Sequence, residues 1–377
     1  MGPLFLSRRR FAGAIGTAFG AAIALPRLTR TAEASLRKGA SPDLVQLNSN
    51  ENPYGPSAKA LGALTGIVPS RYPDAAEEEM ILALARAHGL PPERIVLGCG
   101  SSEILRLCDA AFLGPGRTVV AAEPTFEAVL HYSRATKAEA VKVPLTPEFR
   151  HDLAAMAKAC DARTGLVYVC NPNNPTGTIV SGDALESFLQ RVPPATVVLV
   201  DEAYHHFVED PGYRSAIGML DRFPNLVVAR TFSKIHGLAG MRLGYAVASE
   251  DRARELRAHA AWSNANASVL AAARVSLEDE AHVEKQRAML NGTRRRLTEA
   301  LEREHRRYIP TEANFVMIDV GGDVSPVIAS FAARRILVGR RFAAMPTWLR
   351  VTVGTDKETD LFLAALREIV PARAAAA

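Results

Sequence analysis

Between residues 95 and 229, short apolar runs alternate with helix-patterned stretches, and that alternation leaves few folds open. Residues 95–97, 118–122, 138–143, 166–170, 196–200 and 226–229 read as strands. Helical patterns at 104–112, 125–136, 151–160 and 182–191 separate most of them. Several runs are almost continuously apolar and rich in valine, as in strands covered on both faces, and intervening helices make the sheet parallel. An α/β architecture is therefore predicted, with any ligand at the carboxyl ends of the strands. With 377 residues, the chain is long enough for one large domain or two linked ones.

The unusual residues fall at those strand ends. GCGSSE (98–103) places Ser101 and Ser102 at the start of a helix, where free backbone amides favour an anion. A serine-capped helix with no ligand would look the same. NPNNPTG (171–177) is a rigid turn rich in amide donors, or simply a connecting loop. DEAY (201–204) puts Asp201 after an apolar strand, where a carboxylate needs a charged or hydrogen-bonded partner, or else caps a helix. RTFSKIHGLAGMRLGY (230–245) sets Thr231, Ser233, Lys234 and Arg242 among glycines. A lysine there can form an imine with an aldehyde cofactor, while hydroxyls and an arginine hold its phosphate. Taken alone, the stretch is also readable as a Gly-rich turn with solvent-facing basic residues.

The flanks read more simply. Residues 44–56 form a short extended piece and a Pro-punctuated loop, and 77–88 an amphipathic helix closed by Gly89. Residues 249–257 and 269–301 read as helices, 315–320, 337–338 and 349–353 as strands, and 357–368 as a closing helix. Four cysteines (Cys99, Cys108, Cys160, Cys170) have no metal-type spacing and read as buried thiols, so no metal is expected.

The net charge of +5 is concentrated at the start. Residues 1–34 hold five arginines against one glutamate, which leaves the remainder near neutral and gives no basis for nucleic-acid binding. Ser7-Arg8-Arg9-Arg10-Phe11 followed by a weakly apolar run to Pro26 has the twin-arginine pattern, with small residues around Ala32–Ala34 for cleavage. The run is too short for a comfortable membrane span. The expectation is a signal peptide over 1–34 and a periplasmic or secreted protein; a retained anchor helix or a basic arm of the folded protein would carry the same residues.

GCGSSE, NPNNPTG, DEAY and TFSKIHGLAGMRLGY, in that order, resemble fold-type I pyridoxal-phosphate (PLP) enzymes of the class I/II aminotransferases, most closely the histidinol-phosphate aminotransferases. NENPYGPS, RYPD (71–74) and WLRVTVGT (348–355) extend the likeness over 45–370. It implies a large PLP-binding domain with a mixed, mostly parallel seven-stranded sheet, over 71–265. Residues 35–70 would give an arm and part of a small domain, completed by 266–371. Carried over residue by residue, the likeness makes Lys234 the Schiff-base lysine and proton carrier. Asp201 partners the pyridine nitrogen, Tyr204 and Asn174 the ring oxygen, and Phe126 stacks on the ring. Ser101, Ser102, Thr231, Ser233 and Arg242 hold the phosphate, joined by Tyr72 from the neighbouring subunit of a homodimer. Arg350 clamps the substrate carboxylate, and Asn52, Tyr54 and Asn314 border the substrate pocket. The implied reaction moves an amino group from an amino acid or related amine to a 2-oxo acid. A PLP-dependent decarboxylase, or a non-catalytic protein on the same fold, would share most of these motifs.

One departure concerns the substrate. The family carries an arginine directly after the run that ends at Val338, where it helps bind a substrate phosphate. Here Gly339 takes that place and Arg340 and Arg341 follow. A one-residue shift along a strand turns a side chain to the other face. Histidine biosynthesis is also cytosolic, so the phosphorylated substrate is not carried over.

Overall fold

The computed structural model describes residues 44–371. Among the described residues twelve strands run in chain order. They are β1 (Val45–Leu47), β2 (Ile95–Gly98), β3 (Thr118–Glu123), β4 (Glu139–Pro144), β5 (Thr164–Cys170) and β6 (Val197–Asp201), then β7 (Leu226–Thr231), β8 (Gly244–Ala248), β9 (Tyr308–Ile309), β10 (Phe315–Asp319), β11 (Ile336–Val338) and β12 (Trp348–Thr352). Seven form the main sheet in the order β2-β8-β7-β6-β5-β3-β4. β8 runs against both its neighbours and the other pairs are parallel, which gives the mixed, mostly parallel α/β sheet.

Period-two alternation explains why the central strands are apolar throughout. Val167, Val169, Val198 and Val200 enter one hydrophobic core, and Leu166, Tyr168, Val197 and Leu199 enter the core on the opposite face. Each such side chain, fully buried, contributes about 1.5–3 kcal/mol from the area removed from water. A charged residue at Val198 would be stranded without a partner and break the sheet at its centre.

Two smaller sheets complete the fold. β12-β10-β9 is antiparallel, and β1 pairs in parallel with β11, Val45 opposite Ile336. Val45 and Leu47 share an apolar cluster with Phe331, Val351 and Phe362. This pairing draws residues 48–52 past Arg350 on β12. The closing helix Asp356–Ile369 starts in a capping box, Thr355 with Glu358, satisfying otherwise free amides.

Five details differ from the sequence reading. The stretch 269–301 is two helices, Ala267–Glu278 and Glu280–Arg303, broken at Asp279, whose backbone leaves the helical region. Asp279 is held by Lys59 at 2.8 Å. The helix expected from 125 begins only at Ala128, after a loop. β8 and the helix Val324–Ala333 were not anticipated, and Cys99 is exposed rather than buried.

Candidate active site

The main pocket opens at the carboxyl ends of β5, β6 and β7, where parallel strands diverge into loops. Asp201 ends β6 and is almost fully buried. Its Oδ2 accepts the Tyr168 hydroxyl at 2.9 Å and its Oδ1 the Ala203 amide at 3.1 Å. Burial pushes its pKa up to about 6, opposed by those two donors and by the charge of Lys234.

Lys234 follows β7 and points into the same pocket. Its Nζ donates to the Ser49 carbonyl at 3.4 Å and lies 5.5 Å from the centre of the Tyr204 ring. Burial first, then the positive charge of Arg350, lowers its pKa to about 8, against the pull of Glu51 and Asp201. Tyr204 Oη accepts from Asn50 Nδ2 at 3.1 Å and Asn174 Nδ2 at 3.4 Å. Burial holds that phenol well above its usual range.

An anion seat stands on the same pocket. Ser101 and Ser102 begin the helix Ser101–Phe112, whose N-cap residue Gly100 offers no side-chain acceptor, so the Ser101 and Ser102 amides are available to a ligand while that of Glu103 donates to the Gly100 carbonyl at 3.1 Å. Gly100 adopts φ +77, and a Cβ there would lie 2.1 Å from a nitrogen of Arg242. Only glycine lets the guanidinium approach the helix start this closely. Arg242 Nη1 donates to Ser233 Oγ at 3.3 Å and to the Ala239 carbonyl at 2.9 Å. Thr231 and Ser233 line the same wall.

Arg350 on β12 enters from the small antiparallel sheet. Its Nη1 donates to Asn174 Oδ1 at 2.7 Å and its Nη2 to the Asn48 carbonyl at 2.9 Å, while Nε is buried with no partner among the described residues. Burial lowers its pKa to about 10, which leaves it charged at neutral pH.

The structure brings Ser101, Ser102, Phe126, Asn174, Asp201, Tyr204, Thr231, Ser233, Lys234, Arg242 and Arg350 onto one pocket. Four predicted residues lie elsewhere. Asn52 donates to the Ile235 carbonyl at 2.8 Å, and Asn314 to the Asn50 carbonyl at 3.2 Å. Tyr54 packs beside Tyr204 and Phe315. These three brace the 48–54 segment rather than line the cavity. Tyr72 is 85% exposed and outside it.

Sequence reasoning missed Thr125, Glu51 and Phe342, which also line the pocket, and misjudged Arg340. A Cβ at Gly339 would sit 2.7 Å from the Arg350 carbonyl oxygen, so no side chain fits there. The next residue, Arg340, reaches the pocket instead, and its guanidinium lies 4.4 Å from the centre of the Phe342 ring. The one-residue shift does not remove the arginine from the site.

A buried carboxylate, a lysine of lowered pKa and a helix-start anion seat fit PLP: an acidic partner for a ring nitrogen, an amine for an aldehyde, donors for a phosphate. Fold and pocket together define a fold-type I PLP enzyme. The chain belongs to the aminotransferase class I and II family, whose profile matches residues 42–366. It is 41% identical over 333 residues to histidinol-phosphate aminotransferase of Moorella thermoacetica, covering 87% of this chain and 86% of that one. It is 37% identical over 331 residues to that of Caldicellulosiruptor saccharolyticus, covering 87% and 92%. The structure of histidinol-phosphate aminotransferase from Sinorhizobium meliloti in complex with pyridoxal-5'-phosphate superposes with a TM-score of 0.84 at 26% identity, over 92% of this chain and 95% of that one. The chain is a PLP-dependent aminotransferase, transferring an amino group from an amino acid to a 2-oxo acid.

These relatives overturn the expectation of a periplasmic or secreted protein, because histidinol-phosphate aminotransferases are biosynthetic enzymes of the cytoplasm. That expectation rested on a short arginine-and-apolar pattern, a compositional signal that many basic N-termini share. The signal reading of 1–34 lies outside the described residues, and the family match begins after it.

Proposed function

We propose that this aminotransferase takes a donor bearing a phosphate, or a carboxylate beyond the α-carboxylate, and that Lys234 carries the proton in each half-reaction. The observation that supports this most is the convergence of Lys234, Asp201 and Arg350 on one pocket, with Arg340 beside them. Bound PLP supplies an aldehyde for an amine and a ring that draws electrons from the substrate carbon.

With its pKa near 8, Lys234 is partly neutral at physiological pH, so its Nζ can accept a proton from the substrate carbon and return it. Asp201, ionised above about pH 6, holds a proton at the ring nitrogen. Tyr204 and Asn174 would hold the ring oxygen, and Phe126 would pack against the ring. Ser101, Ser102, Thr231, Ser233 and Arg242 anchor the phosphate.

Arg350 presents two nitrogens in a planar fork suited to a carboxylate or phosphate. Arg340 adds a second cation, which makes a phosphorylated amine such as histidinol phosphate a donor to test beside dicarboxylic amino acids. The reading includes a homodimer in which Tyr72 reaches the neighbour's phosphate seat, supported by its exposure. It also keeps a large domain over 71–265, supported by the main sheet lying within 95–248, with an arm and part of a smaller domain before it and 266–371 completing that smaller domain.

The test is a half-reaction screen. Single donors are added to PLP-loaded protein while the visible band of the lysine-bound cofactor is followed. Conversion to the pyridoxamine form by anionic donors, histidinol phosphate among them, supports the reading. Conversion by apolar amino acids alone contradicts it.

A further inference from the structure

Tyr168 is fully buried in the core on one face of the main sheet, where a phenylalanine would fill the same space. β5 and β6 run in parallel with Tyr168 opposite Leu199 and Cys170 opposite Asp201. That register carries the Tyr168 hydroxyl to Asp201 Oδ2, at 2.9 Å. A buried hydroxyl is retained at a cost unless it has a partner, and here the partner is the carboxylate on the pocket wall. The other oxygen, Oδ1, takes the Ala203 amide. Each carboxylate oxygen accepts two hydrogen bonds, so the group can be held from behind by the protein and still face a donor in the pocket.

We propose that Tyr168 is a positioning residue for transamination: its hydrogen bond keeps Asp201 ionised and fixes the carboxylate toward the cofactor's ring nitrogen. This rests on the reading that Asp201 partners that nitrogen. Burial favours the protonated carboxyl, as does the negative charge of Glu202, while the Tyr168 hydroxyl, the Ala203 amide and the charge of Lys234 oppose it; the Cys170 thiol opposite Asp201 on β5 is pushed up by burial and stays neutral. Without the hydroxyl, Asp201 takes up a proton at higher pH, and a neutral carboxyl no longer balances a protonated ring.

The experiment measures PLP affinity of cofactor-free protein across pH 5–9 for the natural chain, Tyr168→Phe and Asp201→Asn, with a thermal melt of each. A cofactor analogue with CH in place of the ring nitrogen serves as the control. In the natural chain, affinity should fall as the pH drops through about 6, where Asp201 becomes protonated. In Tyr168→Phe the fall should begin about one pH unit higher, giving roughly fivefold weaker binding near pH 6 and approaching about tenfold toward pH 5, with the cofactor-free melt little changed. The analogue should bind both proteins with one pH profile. A Tyr168→Phe profile that overlays the natural one while Asp201→Asn binds poorly overturns the role of Tyr168 alone. An equal shift with the analogue reduces Tyr168 to packing. Natural binding by Asp201→Asn at every pH overturns the reading of Asp201 itself, and this proposal with it.

Discussion

Arg340 Nη2 donates to Glu127 Oε2 at 2.7 Å, tying the turn after β11 to the loop that carries Phe126. Both side chains are more than half exposed, which places the pair at about 0.2–1 kcal/mol. That is small enough for a substrate anion to displace. Glu127→Gln should therefore lower KM for donors with a distal phosphate or carboxylate by roughly 1.4- to 5-fold, leaving kcat and apolar donors unchanged. Arg340→Ala should raise KM for the same donors. Steady-state kinetics with paired donors checks both, and unchanged KM in both variants would remove Arg340 from substrate recognition.

Arg350 is a different case because it is buried and joined to Asn174 and the Asn48 carbonyl. Arg350→Lys keeps a charge but loses the planar fork. We expect kcat/KM for carboxylate donors to drop on the order of 100-fold, mostly through KM, since losing a buried charged contact costs about 2–5 kcal/mol. Binding of PLP, followed by its absorbance, should stay within a few-fold. A comparable loss of cofactor affinity would mean that Arg350 serves the cofactor instead.

Buried imidazoles make the fold sensitive to acid. Burial lowers the pKa of His88, His151 and His236 to about 4, and His205 and His206 well below their usual range. The His205 and His206 rings lie tilted against each other with centres 3.7 Å apart, and His206 lies 5.3 Å from His236. With folded-state pKa values below the unfolded 6.5, the unfolded chain binds more protons as the pH falls. Stability should be level with respect to these groups above about pH 6.5 and fall toward pH 4, at about 1.4 kcal/mol per pH unit for each proton taken up. Chemical denaturation at several pH values measures the slope. A protein that gains stability between pH 6.5 and 4 would contradict this account of the histidines.

Much of the main sheet was legible because buried parallel strands must be apolar on both faces, and runs such as 166–170 and 226–229 carry that demand openly. β8 was hidden for a physical reason. Gly244 starts it directly against Gly100 and Ser101, where a Cβ would lie 2.2 Å from the Ser101 amide nitrogen, and its glycine was read as part of the turn. The break at Asp279 has no proline or glycine to announce it; it is made by backbone geometry and the reach of Lys59. In the pocket, the residues at strand ends were readable from position and chemistry together. Arg340 was not, since the reason for its shift is the Arg350 backbone packed against Gly339, a contact between segments on different strands. Tyr168 looked like one more apolar strand residue until the register set its hydroxyl beside Asp201.

The central claim is that Lys234 is the residue that joins the cofactor. The most direct measurement is borohydride reduction of the PLP-loaded protein, followed by peptide mass spectrometry. The account predicts a pyridoxyl-phosphate adduct on Lys234, with attachment faster as the pH rises through about 8 and the amine loses its proton, and no adduct in Lys234→Ala. An adduct on another lysine, or an undiminished adduct in Lys234→Ala, would contradict it.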